Sequence, residues 1–337
     1  MTTAEAGRVP VVLDDAGRLR DRLPEIVGRA LATKVSEVTG LIALSGGTSR
    51  DTWSFDAHTA DGAVFQLVLQ GRRTLDIDNG MSVETEASLL RAAKQAGAPV
   101  ATLLAVDPSG TQLGLPYLLL ERLDGETVPQ RILREEQYAS ARKMLARQYG
   151  EALAVMQRVP LDQVPGVPPQ DPLSYYREIL DEVGSPHPAL ELGFRWLEAH
   201  LPPTAPEVLV HGDFRNGNGI VTSDGLAAVI DFELAHRGNP LEDMGWFCIR
   251  AWRFGHVGHA GGFGSVADLV EGYQSAGGGP VDPQSLHWWQ VLGTVRWSVI
   301  CLMQGATQLS GHRRSIELAA VGRRACEPEF DLMLLLP

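Results

Sequence analysis

Asp213, Asn218 and Asp231 are the residues whose types and spacing can do chemistry in this sequence. They lie in the stretch LVHGDFRNGNGIVTSDGLAAVIDFELAHRGNPLEDMGW, residues 209–246. Val208 to Val210 read as a short strand ending in His211-Gly212-Asp213, and Asn218 follows after a loop rich in Gly and Asn. Leu226 to Ile230 read as a second apolar strand that ends at Asp231, so Ser223-Asp224-Gly225 is expected to join the two strands as a hairpin. In that geometry the three side chains emerge at one end, and two carboxylates and an amide oxygen face a common point. Oxygen ligands without Cys or His suit Mg²⁺, which keeps several waters and is usually completed by substrate phosphates. A nucleotide is therefore implied.

Asp213 and Asn218, with four residues between them and a metal-binding Asp downstream, also match the spacing of the catalytic loop of protein kinases. His-Gly-Asp stands in place of His-Arg-Asp. HGDFRNGN, then IDFE, then GNPLEDMGW resembles the aminoglycoside phosphotransferase family, small-molecule kinases built on the protein-kinase fold. The closing GHRRSIELAAVGRRACEPEFDLMLLL is similar to the tail of the branch related to the kinase-like domain attached to some acyl-CoA dehydrogenases. The resemblance implies an α+β, bilobal fold with a small β-rich N-lobe and a larger, mostly helical C-lobe. It implies a nucleotide-binding lobe over residues 1–124 and a catalytic and substrate-binding lobe over residues 125–337. It further implies ATP or GTP and Mg²⁺ as cofactors, with Asp213 orienting and deprotonating an acceptor hydroxyl, Arg215 beside it as a second catalytic residue, and Asn218 and Asp231 as metal ligands. Asp243 sits in a segment resembling the family's GDP-x-x-D-x-x-W pattern, with Asn239 where Asp is common, and is expected to brace the catalytic loop.

The elements that must position a nucleotide come earlier in the chain. Leu41 to Leu44 read as a strand, followed by Ser45, Gly46, Gly47, Thr48 and Ser49, which the resemblance makes the nucleotide-covering loop. Two adjacent glycines let the backbone approach phosphates, and the hydroxyls add donors. The next strand, Val64 to Gln70, places Gln66, Val68 and Gln70 on one face by alternation. Val68 is then a roof for the base, and Gln70 stands where the family has a phosphate-contacting Lys or Arg. Either Arg72 or Arg73 replaces that cation, or both are solvated and phosphate binding relies on Mg²⁺ and backbone N–H groups. A helix over Met81 to Ala96, capped by Ser82, carries Glu86, the family-matched ion-pair residue. Its partner is Arg72, Arg73 or none. Glu121-Arg122-Leu123-Asp124-Gly125 resembles the interlobe linker, with the backbone at Glu121 and Leu123 meeting the adenine edge.

Elsewhere the pattern speaks of packing. Asp14 to Val35 and Glu135 to Val159 have helical periodicity, and Pro24 marks a start or a break in the first. LDQVPGVPPQDP, with four prolines, is an irregular loop, followed by helices over Leu173 to Asp181 and Leu190 to His200. Trp288, Trp289, Leu292, Val295 and Val299 share a helical face, and His256 and His259 lack a third metal ligand. A chain of 337 residues, 44% hydrophobic, is long enough for two cores, and its net charge of -12 argues against a general nucleic-acid binder. Cys248, Cys301 and Cys326 are odd in number and far apart, which fits a reducing cytoplasm. Nothing in the pattern leads one to expect a signal peptide or a membrane-spanning run. The sequence leaves the oligomeric state open. The resulting expectation is a small-molecule phosphotransferase acting on a hydroxyl, with no nucleic acid or membrane partner. No A-P-E segment or activation loop points to a protein substrate. The alternative, prompted by Gln70, is a nucleotide-binding regulatory protein with little or no transferase activity.

Overall fold

An amphipathic helix, α1 (Ala16–Leu31), lays Leu19, Leu23, Ile26 and Val27 against one face of a five-stranded antiparallel sheet. The computed structural model describes residues 16–44, 50–72, 81–311 and 315–337. The sheet runs β1 (Val35–Leu44), β2 (Arg50–Thr59), β3 (Val64–Arg72), β5 (Tyr117–Glu121) and β4 (Leu103–Asp107) in spatial order. Phe55, Ala57, Leu67, Leu69, Tyr117 and Leu119 meet α1, and each large apolar side chain buried here contributes about 1.5–3 kcal/mol. Strand alternation turns Val68, Gln70 and Arg72 to the opposite, half-buried face. Helix α2 (Val83–Gln95) follows, and the Ser82 hydroxyl accepts from the Thr85 N–H at 3.0 Å, the expected cap.

Pro24 is not a helix boundary. It lies inside α1, where the burial of Leu23 on one side and Ile26 and Val27 on the other keeps the helix continuous across the missing N–H. Val35, expected at a helix end, instead starts β1.

The described residues divide into two units. The first takes those up to Gln95, Pro99–Asp124 and Gln163–Val167, and the second takes Ala96–Ala98, Gly125–Asp162 and those from Pro168 onward. The second is mostly helical. Helix α4 (Ala139–Met156) packs on α8 (Val266–Ser275), and a side chain at Gly150 or Gly272 would run into the backbone of the other helix, at Leu269 O and Arg147 O. The long α9 (Pro283–Leu309) packs against α5 (Pro172–Val183), α6 (Pro188–Ala199), α7 (Glu242–Cys248), α10 (Ile316–Gly322) and α11 (Cys326–Leu335).

Two short ladders sit among these helices. Strand β6 (Val208–Val210) pairs with β9 (His236–Gly238), and β7 (Gly219–Thr222) pairs with β8 (Gly225–Val229). This corrects the expected hairpin: the turn at Ser223 and Asp224 joins β7 to β8, while Val208–Val210 has a different partner. The reason is length. Strands of three to five residues carry too little periodicity to declare their neighbours. None of the described helices is long and apolar enough to cross a membrane, and the three cysteines are free.

Candidate active site

The catalytic-type loop runs between the two ladders, from His211 at the end of β6 to Asn218 at the start of β7. Gly212 makes its sharp departure possible: its φ is 81°, and an added Cβ would lie 2.1 Å from the Leu234 carbonyl oxygen. Asp243, at the start of α7, accepts from the His211 N–H at 2.7 Å and the Gly212 N–H at 3.0 Å, which is the bracing expected of it. Burial nevertheless pushes its carboxyl up to about 7, against those two donors. His211 is buried and its imidazole is pushed down to about 4 by desolvation. Its bonds fit the neutral ring, with Nε2–H donating to the Ile230 carbonyl at 3.0 Å and Nδ1 accepting from the Asp213 N–H at 3.2 Å.

Asp213 is held by three side chains. Oδ1 accepts from Trp246 Nε1 at 3.0 Å, Oδ2 accepts from Asn218 Nδ2 at 2.7 Å, and Arg215 Nε reaches both oxygens at 3.0 and 3.1 Å. The Arg215 guanidinium also lies over the Trp252 ring, 4.8 Å from its centroid. Asn218 donates a second time to the Asp213 carbonyl at 2.9 Å, so its amide nitrogen is committed and its oxygen points away. The Ile230 N–H donates to the Asn218 carbonyl at 3.0 Å, which brings Asp231, the next residue, alongside Asn218. Asp231 has φ 71°, a left-handed backbone rare outside Gly and Asn. An amide oxygen and a carboxylate, with phosphates and water to complete the shell, fit a hard divalent cation. Among the described residues, His256 and His259 join no such group of His, Cys, Asp and Glu.

Beneath this loop lies a buried charge network. His236 Nε2 donates to Glu242 Oε1 at 3.1 Å and Nδ1 donates to the Leu234 carbonyl at 2.9 Å, a doubly donating ring. Burial works against its charge, but the Glu242 carboxylate outweighs it and holds the imidazolium above its ordinary range. Arg296, on α9, donates to the Gly212 carbonyl and sits 4.1 Å from the Trp246 ring centroid. Its Nη1 lies 3.8 Å from Glu242 Oε1. Trp246, Glu242, His236 and Arg296 were not singled out from sequence. Glu242 and Trp246 both lie in the GNPLEDMGW segment, and of the four only Trp246 stands at a position that the family's GDP-x-x-D-x-x-W pattern fixes.

In the first unit, Glu86 on α2 is 4% exposed and is neither a surface residue nor a partner of Arg72. Arg50 Nη1 and Nη2 donate to its two oxygens at 2.8 and 2.9 Å, and Nη1 donates to Gln70 Oε1 at 3.3 Å. The Arg72 guanidinium donates to the Met81 carbonyl instead. Val68 is half-buried on the face shared with Gln70. The Glu121 carboxylate accepts from the Thr102 N–H and hydroxyl at 2.6 and 2.7 Å, while the Leu123 backbone makes no hydrogen bond among the described residues. Ser45, Gly46, Gly47, Thr48 and Ser49, and Arg73, lie outside the described residues.

The second unit also contains a cavity of about 710 Å³, lined among others by Arg250, Arg253, Trp297, Arg324 and Asp331. Its Trp297 wall packs on Trp252, ring centroids 4.8 Å apart, and Trp252 is the ring that carries Arg215.

Residues 40–289 match the profile of the phosphotransferase enzyme family. Over 194 residues, 55% of the chain, the sequence is 27% identical to acyl-CoA dehydrogenase family member 10 of Mus musculus, and the matched stretch is 18% of that protein's length. Among solved structures, a Ralstonia eutropha protein provisionally designated an aminoglycoside phosphotransferase superposes with a TM-score of 0.72 at 18% identity, over 94% of this chain and 97% of that one. A macrolide 2'-phosphotransferase of Brachybacterium faecium gives a TM-score of 0.59 at 18% identity, over 90% and 97%. Identities this low speak for the fold, which is the α+β, protein-kinase-like one of a small antiparallel sheet and a larger helical part. With the profile spanning most of its length and that fold along nearly all of it, the chain belongs to the phosphotransferase enzyme family, the family of the aminoglycoside phosphotransferases.

Proposed function

We propose that this protein transfers the γ-phosphoryl group of ATP or GTP to a hydroxyl of a small molecule in a Mg²⁺-dependent reaction. The observation that carries the reading is the Asp213 carboxylate, fixed by Trp246, Asn218 and Arg215 on a loop where Asn218 adjoins Asp231. Asp213 orients the acceptor hydroxyl and takes its proton. Arg215 places positive charge beside that carboxylate, where charge on the transferring group also gathers. Asn218 Oδ1 and the Asp231 carboxylate hold Mg²⁺, which when bound neutralises charge on the phosphates. Positioning and charge neutralisation supply most of the catalysis in phosphoryl transfer, so few groups suffice. The first unit is the nucleotide-binding part, with Val68 over the base, the backbone of Glu121 and Leu123 at its edge and Ser45–Ser49 over the phosphates. The second is the catalytic and acceptor-binding part.

A polycationic acceptor entering the 710 Å³ cavity would meet Arg250, Arg253 and Arg324, with Glu327 and Asp331 as the opposing charges. Neutral and anionic hydroxyl compounds therefore belong in the test panel beside aminoglycosides. In the test, the purified chain consumes ATP or GTP with Mg²⁺ and one panel member, and Asp213→Ala abolishes turnover while nucleotide binding persists. Undiminished turnover in Asp213→Ala would refute the base. Nucleotide binding without consumption across the panel would favour the regulatory alternative.

A further inference from the structure

Phosphoryl transfer needs fixed positive charge beside the nucleotide's phosphates, and Gln70 on β3 brings none. A neighbouring strand brings it. Arg50 on β2 lies across from Arg72, two residues along the ladder from the Thr52–Gln70 pair, and shares the half-buried face of Val68 and Gln70. Its two Nη atoms donate to the two Glu86 oxygens at 2.8 and 2.9 Å, a two-point fork that fixes the plane of the guanidinium. Gln70 Oε1 accepts from the same Nη1 at 3.3 Å, so the amide leans on a cation and does not replace one. The side chains of Arg50 and Glu86 are 11% and 5% exposed. Apolar side chains would fill that space at lower desolvation cost, so packing alone does not account for an ion pair there. Arg72 is turned to the Met81 carbonyl, at the entry to α2.

We propose that Arg50 supplies the phosphate-contacting cation of this enzyme, with Glu86 and Gln70 as positioning residues that hold its guanidinium. The inference rests on the phosphotransferase reading and adds to it a residue from a different strand. Along the sequence Arg50 directly follows Ser49, the end of the stretch assigned to covering the phosphates.

The test is calorimetric titration of the full-length chain with Mg²⁺-ATP and, separately, with adenosine, which lacks phosphates. Arg50→Gln is expected to weaken ATP by about 10- to 100-fold, the loss of a charge-assisted contact, while adenosine binds as in the wild type. Adding Gln70→Lys to Arg50→Gln is expected to restore ATP affinity to within about threefold of wild type by returning a cation to the same face. Because Arg50→Gln strands a buried Glu86, the double variant Arg50→Gln/Glu86→Gln serves as the folding-safe counterpart and is expected to show the same selective loss. Equal loss of ATP and adenosine in both Arg50→Gln and the double variant would mean a purely structural role and would overturn the proposal. Unchanged ATP affinity in Arg50→Gln would also overturn it. A wild-type chain that binds adenosine but shows no gain for ATP removes the phosphate contact itself, whereas one that binds neither removes the nucleotide reading beneath it.

Discussion

The Asp213 carboxylate takes donors from Trp246, Asn218 and Arg215, and only Arg215 among these carries charge. Donors on both oxygens fix the carboxylate's orientation, as the proposed role in positioning an acceptor hydroxyl requires. Trp246→Phe tests that role, because a phenyl ring keeps an aromatic face for the Arg296 guanidinium and removes the Nε1 donor, at the cost of some ring packing against Trp252. The expected outcome is a kcat lowered by roughly tenfold with the KM for nucleotide unchanged, read by steady-state kinetics. An unchanged kcat would remove Trp246 from the orienting set. Sequence reading reached Asp213, Asn218 and Asp231 because their chemistry and spacing are local. It passed over Arg50 because pairing with Glu86 depends on a cross-strand register and a helix 36 residues away.

Among the elements, α1 shows tertiary burial overriding propensity. An interior proline removes a helix hydrogen bond and crowds the preceding turn, yet Leu19, Leu23, Ile26 and Val27 keep one apolar stripe on both sides of Pro24. Pro24→Ala is therefore expected to stabilise the first unit by about 1–3 kcal/mol, since it restores a donor and disturbs no buried side chain. Denaturant unfolding of the full chain, followed by a probe in that unit, checks it. A lowered midpoint would mean that the proline fits a bend the packing requires. The long helices, with many turns of evidence, were legible in advance: α4 and α9 follow the periodicity of Tyr149, Leu153 and Met156 and of Trp288, Leu292, Val295 and Val299. The ladders β6·β9 and β7·β8 were not, because three to five residues per strand leave pairing to distant partners.

At the scale of the whole molecule, the buried groups behind the catalytic loop govern how stability follows pH. Burial pushes the His211 imidazole down from 6.5 to about 4, so the folded state binds fewer protons in that interval. Its contribution is fully present above pH 6.5 and is lost as pH falls towards 4, by about 3 kcal/mol in all. Asp243, raised from 3.8 to about 7, acts with the opposite sign: its folded form holds the proton more tightly, so its contribution is lost as pH rises through that interval. The wild-type curve blends the two. Subtracting the unfolding free energies of His211→Gln from those of the wild type between pH 4.5 and 7.5 isolates the imidazole, and the difference is expected to shrink as pH falls. A difference independent of pH would mean that the ring titrates alike in the folded and unfolded states, and one that grows as pH falls would mean a protonated ring at 211. In the surrounding cluster the Glu242 carboxylate lies against His236, whose two donated hydrogen bonds favour its protonated state, and close to the Arg296 guanidinium.

The sequence by itself determined the family and the α+β class, and it singled out the loop around Asp213. Those rest on residue types at short, fixed spacings, and a chain cannot alter such spacings by folding. Only the tertiary structure decided that Glu86 is buried against Arg50, that Val208–Val210 pairs with His236–Gly238, and that Arg296 reaches the Gly212 carbonyl. Each of those contacts joins residues dozens of positions apart. Their formation depends on competing burial, register and charge pairing across the fold, and no local pattern in the chain ranks those partners.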